Sequence, residues 1–251
     1  MKICFAHAHP DDETLASGAL IAELVDAGHD VSVLTATRGE EGDVVPGPLS
    51  PLAGTPELER HRERELAGAL VELGVSRHAF LGTSPARASG PERRYRDSGM
   101  RWIRKGLAGP ADESDERSLC AADQDEAAAD LAAWLRHTGA ELAVSYAADG
   151  GYGHPDHVRM HHLTRAAADQ CGIPFAALIH SPGDGVRWFP LEHQLPRVIR
   201  ALGHHRSQLT VHGDQITHSG GQTEPVTTSV GLTDGEWADG LRLPSTPATD
   251  S

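Results

Sequence analysis

Two short segments, far apart in a chain of 251 residues, carry the side chains from which hydrolytic chemistry is built. The first is Ala8-His9-Pro10-Asp11-Asp12-Glu13, directly after the apolar run Ile3-Cys4-Phe5-Ala6. The second is Gly150-Gly151-Tyr152-Gly153-His154-Pro155-Asp156-His157, directly after Leu142-Ala143-Val144-Ser145-Tyr146. Together they offer imidazoles and carboxylates in the numbers a catalytic Zn²⁺ takes, three protein ligands and a water. Two histidines with one aspartate favour zinc or another borderline metal over Mg²⁺ or Ca²⁺. A further carboxylate then remains to take a proton from that water.

The expected ligands are His9, Asp12 and His157, one Zn²⁺ per chain, with water in the fourth position. Asp11 is the expected general base. His154, as an imidazolium, would stabilise the oxyanion or protonate a leaving amine, with Asp156 as its carboxylate partner. Taken singly, each segment also reads as a helix-start turn with a capping aspartate. Their joint occurrence at two strand ends favours the site.

The elements that position these residues follow from periodicity. Residues 2–8 read as a strand buried on both faces. Residues 14–27 carry Leu15, Leu20, Ile21, Leu24 and Val25 at helical spacing, and Gly28 stops them. Strands are predicted over 31–37, 78–82, 141–147 and 174–180, and helices over 56–73, 122–137 and 155–171, with Pro155 in the first turn of the last. Residues 190–203 read as helix and 223–232 as strand. This alternation predicts an α/β, Rossmann-like fold: a mostly parallel sheet with helices on both faces and a C-terminal extension with short strands. Ligands of such sheets sit beyond the strands' carboxyl ends, where both motifs fall. A single domain over 1–235 and a flexible tail over 236–251 are expected. The segment 83–120 has no clear period and is long for a connector. Seven basic residues between 87 and 105 read there as a solvated loop, or else as a lid over a polar or anionic substrate.

A net charge of −14 argues against nucleic-acid and membrane-surface partners. No apolar run approaches the ~20 residues of a membrane span. Three cysteines, odd in number and not in a metal-type pair, suit a reducing cytoplasm. Homo-oligomerisation is left open.

The two motifs resemble those of the LmbE-like (PIG-L) zinc-dependent N-deacetylases, which act on N-acetylglucosamine groups. The resemblance spans roughly residues 2–210 and implies the same ligands, base and charge stabiliser. Gly150–His154, the run Tyr95-Arg96-Asp97-Ser98-Gly99-Met100 and Arg38-Gly39-Glu40-Glu41-Gly42 are similar to the mycothiol-pathway branch, whose members deacetylate N-acetylglucosaminyl-inositol. That implies a small N-acetyl amino-sugar glycoside as substrate, Arg62 and Asp97 as contacts to its hydroxyls, and Tyr152 as an aid in polarising the acetyl carbonyl. Residues 201–208 match a family C-terminal motif to which no role is assigned. A salt bridge from Arg62 to a nearby carboxylate such as Glu65 or Glu41, and a turn role for Asp97, are the plainer readings. Alternative functions are a mycothiol S-conjugate amidase, a deacetylase of another N-acyl sugar in natural-product biosynthesis, and a sensory Rossmann-like module. The last lacks a Gly-x-Gly-x-x-Gly after the first strand.

Overall fold

The computed structural model describes residues 1–251 except 105, 112–114, 234, 242 and 244–251. Its centre is a sheet of seven strands in the order β3-β2-β1-β6-β7-β12-β8. These are β1 (Lys2–His7), β2 (Asp30–Thr35), β3 (Arg77–Phe80), β6 (Leu142–Tyr146), β7 (Phe175–Ile179), β8 (Val186–Pro190) and β12 (Ser229–Thr233). The first five in that order run parallel, and β12 is antiparallel to both its neighbours. A hairpin, β4 (Met100–Arg104) and β5 (Leu107–Pro110), and a small antiparallel sheet, β9 (Leu209–His212), β10 (Gln215–His218) and β11 (Thr223–Pro225), lie outside it. The expected strand over 223–232 is two, because the chain leaves the small sheet at Pro225 and joins the large one at Ser229.

The helices are α1 (Asp12–Asp26), α2 (Pro56–Leu73), α3 (Gln124–Thr138), a single turn α4 (Gly150–Gly153), α5 (Pro155–Cys171) and α6 (Leu195–Leu202). Alternate residues of β1 serve both layers, as its unbroken apolar run requires. Ile3 and Phe5 pack with α1, α2 and α6, whereas Cys4 and Ala6 pack with α3 and α5. Each layer is one continuous apolar cluster, so the helices are placed by burial and carry their polar ends to the rim.

Strand order reverses direction between β1 and β6, which are paired neighbours. A crevice opens at such a switch point beyond the strand ends. The chain leaves β1 into residues 8–13 and leaves β6 into residues 147–157, so topology brings both motifs to one rim.

Two expectations need correction. Four arginines of the 83–120 segment are struts, while Arg101 and Arg104 are exposed as expected: Arg87 pairs with Glu126 and Asp130 at 2.8 Å, Arg93 with Glu126, Arg94 with Glu59, and Arg96 with Glu41 at 3.4 Å. Tyr95, fully buried, donates its hydroxyl to Asp130 at 2.9 Å. The segment is therefore pinned to α2 and α3 where a solvated loop was expected; Lys105 lies outside the described residues. The tail set at 236 begins too early, since Trp237 and Leu241 are buried in the core and Arg187 donates to the carbonyls of Ala238 and Leu241. Residues 242 and 244–251 of that tail lie outside the described residues.

Candidate metal centre

His9 follows β1, and Pro10 turns the chain into α1. Asp11 caps that helix with φ 121° and ψ −31°, the one non-glycine residue with positive φ among those described. Such a conformation costs about 1–3 kcal/mol and persists only where the surroundings impose it. Here they do. The Pro10 carbonyl accepts from Arg62 Nη2 at 2.6 Å, and the Asp11 amide donates to Glu13 Oε2 at 2.9 Å. Both ends of one peptide plane are thereby fixed. Arg62 reaches this position because Gly39 stands beside it: a Cβ there would lie 2.0 Å from Arg62 Nη1, and φ there is +68°.

Asp12 opens α1 and lies between two imidazoles. Its Oδ2 accepts the His9 amide at 2.9 Å and sits 3.2 Å from His9 Nδ1, while Oδ1 sits 3.2 Å from His157 Nε2. The other nitrogen of each ring is already committed. His9 Nε2 donates to Asp156 Oδ2 at 3.2 Å, and His157 Nδ1 donates to the Gly150 carbonyl at 3.3 Å. Neither an ionised carboxylate nor a carbonyl can donate, so these bonds set both tautomers. When neutral, His9 Nδ1 and His157 Nε2 both present lone pairs toward Asp12. His157 Nε2 is buried and makes no hydrogen bond to the described residues. His9 Nδ1, His157 Nε2 and the Asp12 carboxylate converge, and the space between them takes a proton when His9 is charged and suits a divalent cation when both rings are neutral. Tetrahedral zinc with bonds of about 2.0–2.1 Å needs donors roughly 3.3 Å apart, close to the spacing found. Ring stacking of Tyr146 on His157, with centroids 4.1 Å apart, holds that imidazole flat, and Gly150 must lack a Cβ, which would meet His157 Cβ at 2.9 Å.

His154 shares the cluster, its ring 4.7 Å from His9 and 4.8 Å from His157. By proximity alone His9, His154 and His157 also form a metal-capable group. The hydrogen bonds separate the roles. His154 Nδ1 accepts the Asp156 amide at 3.2 Å, which places the proton on Nε2 and makes His154 a donor. Burial, with His9 and His157 nearby, lowers its pKa to about 3. His154 is thus a neutral imidazole, contrary to the expected imidazolium, because a dry site beside other imidazoles disfavours another positive charge.

Asp156 is corrected as well. Its carboxylate accepts from His9 Nε2, from the Ser98 amide at 2.9 Å and from the Ser98 hydroxyl at 2.5 Å, and lies 3.2 Å from Cys120 Sγ. It orients His9; toward His154 it offers its backbone amide. Asp97 joins it, with Oδ1 3.4 Å from His9 Nε2. His9, Asp97 and Asp156 form a second metal-capable group by distance. Both carboxylates, however, already accept backbone amides, Asp97 from Gly99 at 2.8 Å, and they face the N–H side of His9. This is the carboxylate–histidine arrangement that supports a metal ligand from behind.

Electrostatics divide the two adjacent aspartates. Burial pushes the Asp11 carboxyl up to about 6, against the pull of Arg62, whose Nη2 lies 3.4 Å away. Burial works the same way on Asp12, but His157 and His9 outweigh it and hold that carboxyl well below its ordinary range. One aspartate is an acceptor poised near neutrality and the other a permanent anion. Burial also opposes charge on His9, yet the Asp97, Asp12 and Asp156 carboxylates lift it well above its usual value.

Arg62 is 2% exposed and bonds Gly39 O at 2.7 Å besides Pro10 O. Its carboxylate partner is Asp11, 3.4 Å away, so the plainer reading of a salt bridge to a nearby carboxylate holds with a different partner, and Arg62 backs the base where a fork open to substrate was the alternative. Tyr152 stands at the mouth, 38% exposed, its ring edge-on to His154 and His157. A polar cavity of about 350 Å³ opens beside Asp97, between Glu41, Arg96, Met100, Arg101 and Arg117.

Sequence reasoning missed Tyr146, Ser98 and Cys120. It also gave His205 no role, although its Nε2 meets Glu13 Oε1 at 2.9 Å with both side chains fully buried. The signal existed in the run around Asp97 and in residues 201–208, but contact across 192 positions carries no periodicity.

Residues 4–168 match the sequence model of a family described as GlcNAc-PI de-N-acetylase, PIG-L. A 1D-myo-inositol 2-acetamido-2-deoxy-alpha-D-glucopyranoside deacetylase of Kineococcus radiotolerans is 46% identical over 186 residues, 74% of this chain and 47% of that one. Its counterpart in Streptomyces avermitilis is 37% identical over 225 residues, 87% of this chain and 69% of that one. The chain spans about half the length of most of the curated relatives it matches. Among solved structures, the N,N'-diacetylchitobiose deacetylase of Pyrococcus horikoshii shares the fold, with a TM-score of 0.57 at 20% identity over 82% of this chain and 69% of that one.

Proposed function

The chain belongs to the PIG-L (LmbE-like) family, and on that premise we propose that it is a zinc-dependent N-deacetylase of a small N-acetylglucosaminyl glycoside such as N-acetylglucosaminyl-inositol. One observation carries the reading: His9 Nδ1 and His157 Nε2 both face the Asp12 carboxylate at 3.2 Å, while a second carboxylate, Asp11, stands alongside with its pKa lifted to about 6 by burial. His9, Asp12 and His157 would hold the ion. Zinc bound there would bring the pKa of a coordinated water toward ~7 and polarise the acetyl carbonyl.

The chain's own groups do the rest. Asp11 takes the proton from the attacking water as the new C–O bond forms. His154 Nε2–H donates to the oxyanion that develops on the carbonyl, and Tyr152 is placed to add its hydroxyl. Being neutral, His154 cannot give up a proton cheaply, so Asp11 returns its proton to the nitrogen as the C–N bond breaks. Acetate and a free amine leave. The half-open cavity beside Asp97 alternates carboxylates and guanidinium groups, which suits a polyhydroxylated glycoside.

No helix among the described residues is long and apolar enough to cross a membrane. Cys4, Cys120 and Cys171 are free thiols, which supports the cytoplasmic expectation.

The test supplies one equivalent of zinc and N-acetylglucosaminyl-inositol, and follows primary amine and acetate. Stoichiometric release of both, lost in D11N, is expected. Amine release from none of a panel of N-acetyl glycosides overturns the proposal, and cleavage of a mycothiol S-conjugate alone replaces it with the amidase.

A further inference from the structure

We propose that His205 is a positioning residue that, through Glu13, fixes the backbone conformation of the base Asp11. The identity of Asp11 as base rests on the deacetylase reading; the structural link does not.

The pair is built from opposite ends of the chain. Glu13 lies in the first turn of α1, and His205 follows α6. Both are 0% exposed. Glu13 Oε1 is occupied by His205 Nε2 at 2.9 Å and the Thr14 hydroxyl at 2.5 Å, which turns Oε2 toward the Asp11 amide. That amide and the Pro10 carbonyl are the two ends of one peptide plane, and Arg62 holds the carbonyl. Fixing the plane fixes φ of Asp11, and so the direction its carboxylate takes.

The two grips are themselves joined. Two residues after His205, Ser207 donates its amide and hydroxyl to Glu65 at 2.8 and 2.6 Å. Glu65 lies on α2, one turn after Arg62. One rigid unit of α2 and the 203–208 turn therefore clamps both ends of the strained peptide. His205 Nδ1 is buried with no hydrogen bond to the described residues, so the ring's one polar task is Glu13. Replacing a buried pair by apolar groups of similar volume is often neutral for stability, and the use assigned to this pair is orientation.

The experiment compares the zinc-loaded wild type with H205F, which fills the space without a donor, and H205Q, which keeps one. Steady-state kinetics, zinc content and amide hydrogen exchange of the segment spanning residues 9–14 are measured. In H205F, kcat is expected to fall about 10- to 100-fold, with KM within about threefold, one zinc per chain and faster exchange in that segment. H205Q is expected to recover most of kcat and the slow exchange. Wild-type kcat and unchanged exchange in H205F overturn the proposal, as does a kcat loss matched by zinc loss. If H205F does not fold, H205N, whose amide is too short to reach Glu13, takes its place with the same criteria. A wild type that hydrolyses no N-acetyl glycoside sinks the deacetylase reading alone, and exchange then decides on His205.

Discussion

The turns that leave β1 and β6 look alike and are held differently. Each carries a proline at a helix start, an imidazole and a carboxylate, at the ends of adjacent parallel strands. The second is secured locally: His154 caps its own helix by accepting the Asp156 amide, and His157 leans on Gly150 and Tyr146. The first contains Asp11 at φ 121° and is held by Arg62 and by Glu13, itself backed by His205. His157 and the oxyanion donor His154 sit on relaxed backbone, while the proton acceptor Asp11, between the other two ligands His9 and Asp12, sits on strained backbone. A metal draws its ligands in through short bonds. A base must be pre-aimed, because a misplacement of about 1 Å costs on the order of 10²-fold in rate.

The comparison can be broken most severely at the relaxed turn. His157→Ala removes a ligand, so bound zinc, measured by elemental analysis after gel filtration, should fall well below one per chain and turnover should vanish with it. Asp11→Asn should leave zinc at one per chain and lower kcat by about 10²–10⁴-fold, read by amine release. These two variants separate ligand from base.

Arg62→Ala should damage the strained turn in two ways. Removing one partner of a buried pair costs roughly 3–5 kcal/mol, seen as a melting point lower by on the order of 10 °C. The pH profile sharpens the point. Activity through a base rises as the base loses its proton, so kcat/KM should climb along an acid limb centred near pH 6, the value to which burial lifts Asp11. Arg62 lowers that value, so its removal should move the limb to higher pH, and an unmoved limb would detach Arg62 from the base. The smallest effect belongs to Ser98→Ala. It deletes the hydroxyl that bonds Asp156 but keeps the amide, so kcat/KM should drop only a few-fold with zinc unchanged.

Strands and helices were legible because burial imposes periodicity: the boundaries of α2 and α5 match expectation residue for residue. The 83–120 segment was illegible because its order comes from ion pairs to α2 and α3, and such pairs leave no local pattern. The roles of His154 and Asp156 were misread for a related reason. Neighbours in sequence were taken as partners in space, whereas Asp156 turns its carboxylate to His9, on the other motif.

By itself the sequence determined which residue types meet and where. Apolar runs dictate a parallel sheet, the rule that ligands sit beyond its strands' carboxyl ends puts both motifs on one rim, and their donors suit a divalent cation. Tertiary structure alone decided which nitrogen of each ring is free, which aspartate titrates near 6 and which stays ionised well below that, and what holds Asp11 in a conformation its own backbone disfavours. Those outcomes depend on hydrogen bonds and desolvation summed over residues from every part of the chain, Arg62, Ser98 and His205 among them, and no local stretch contains that sum.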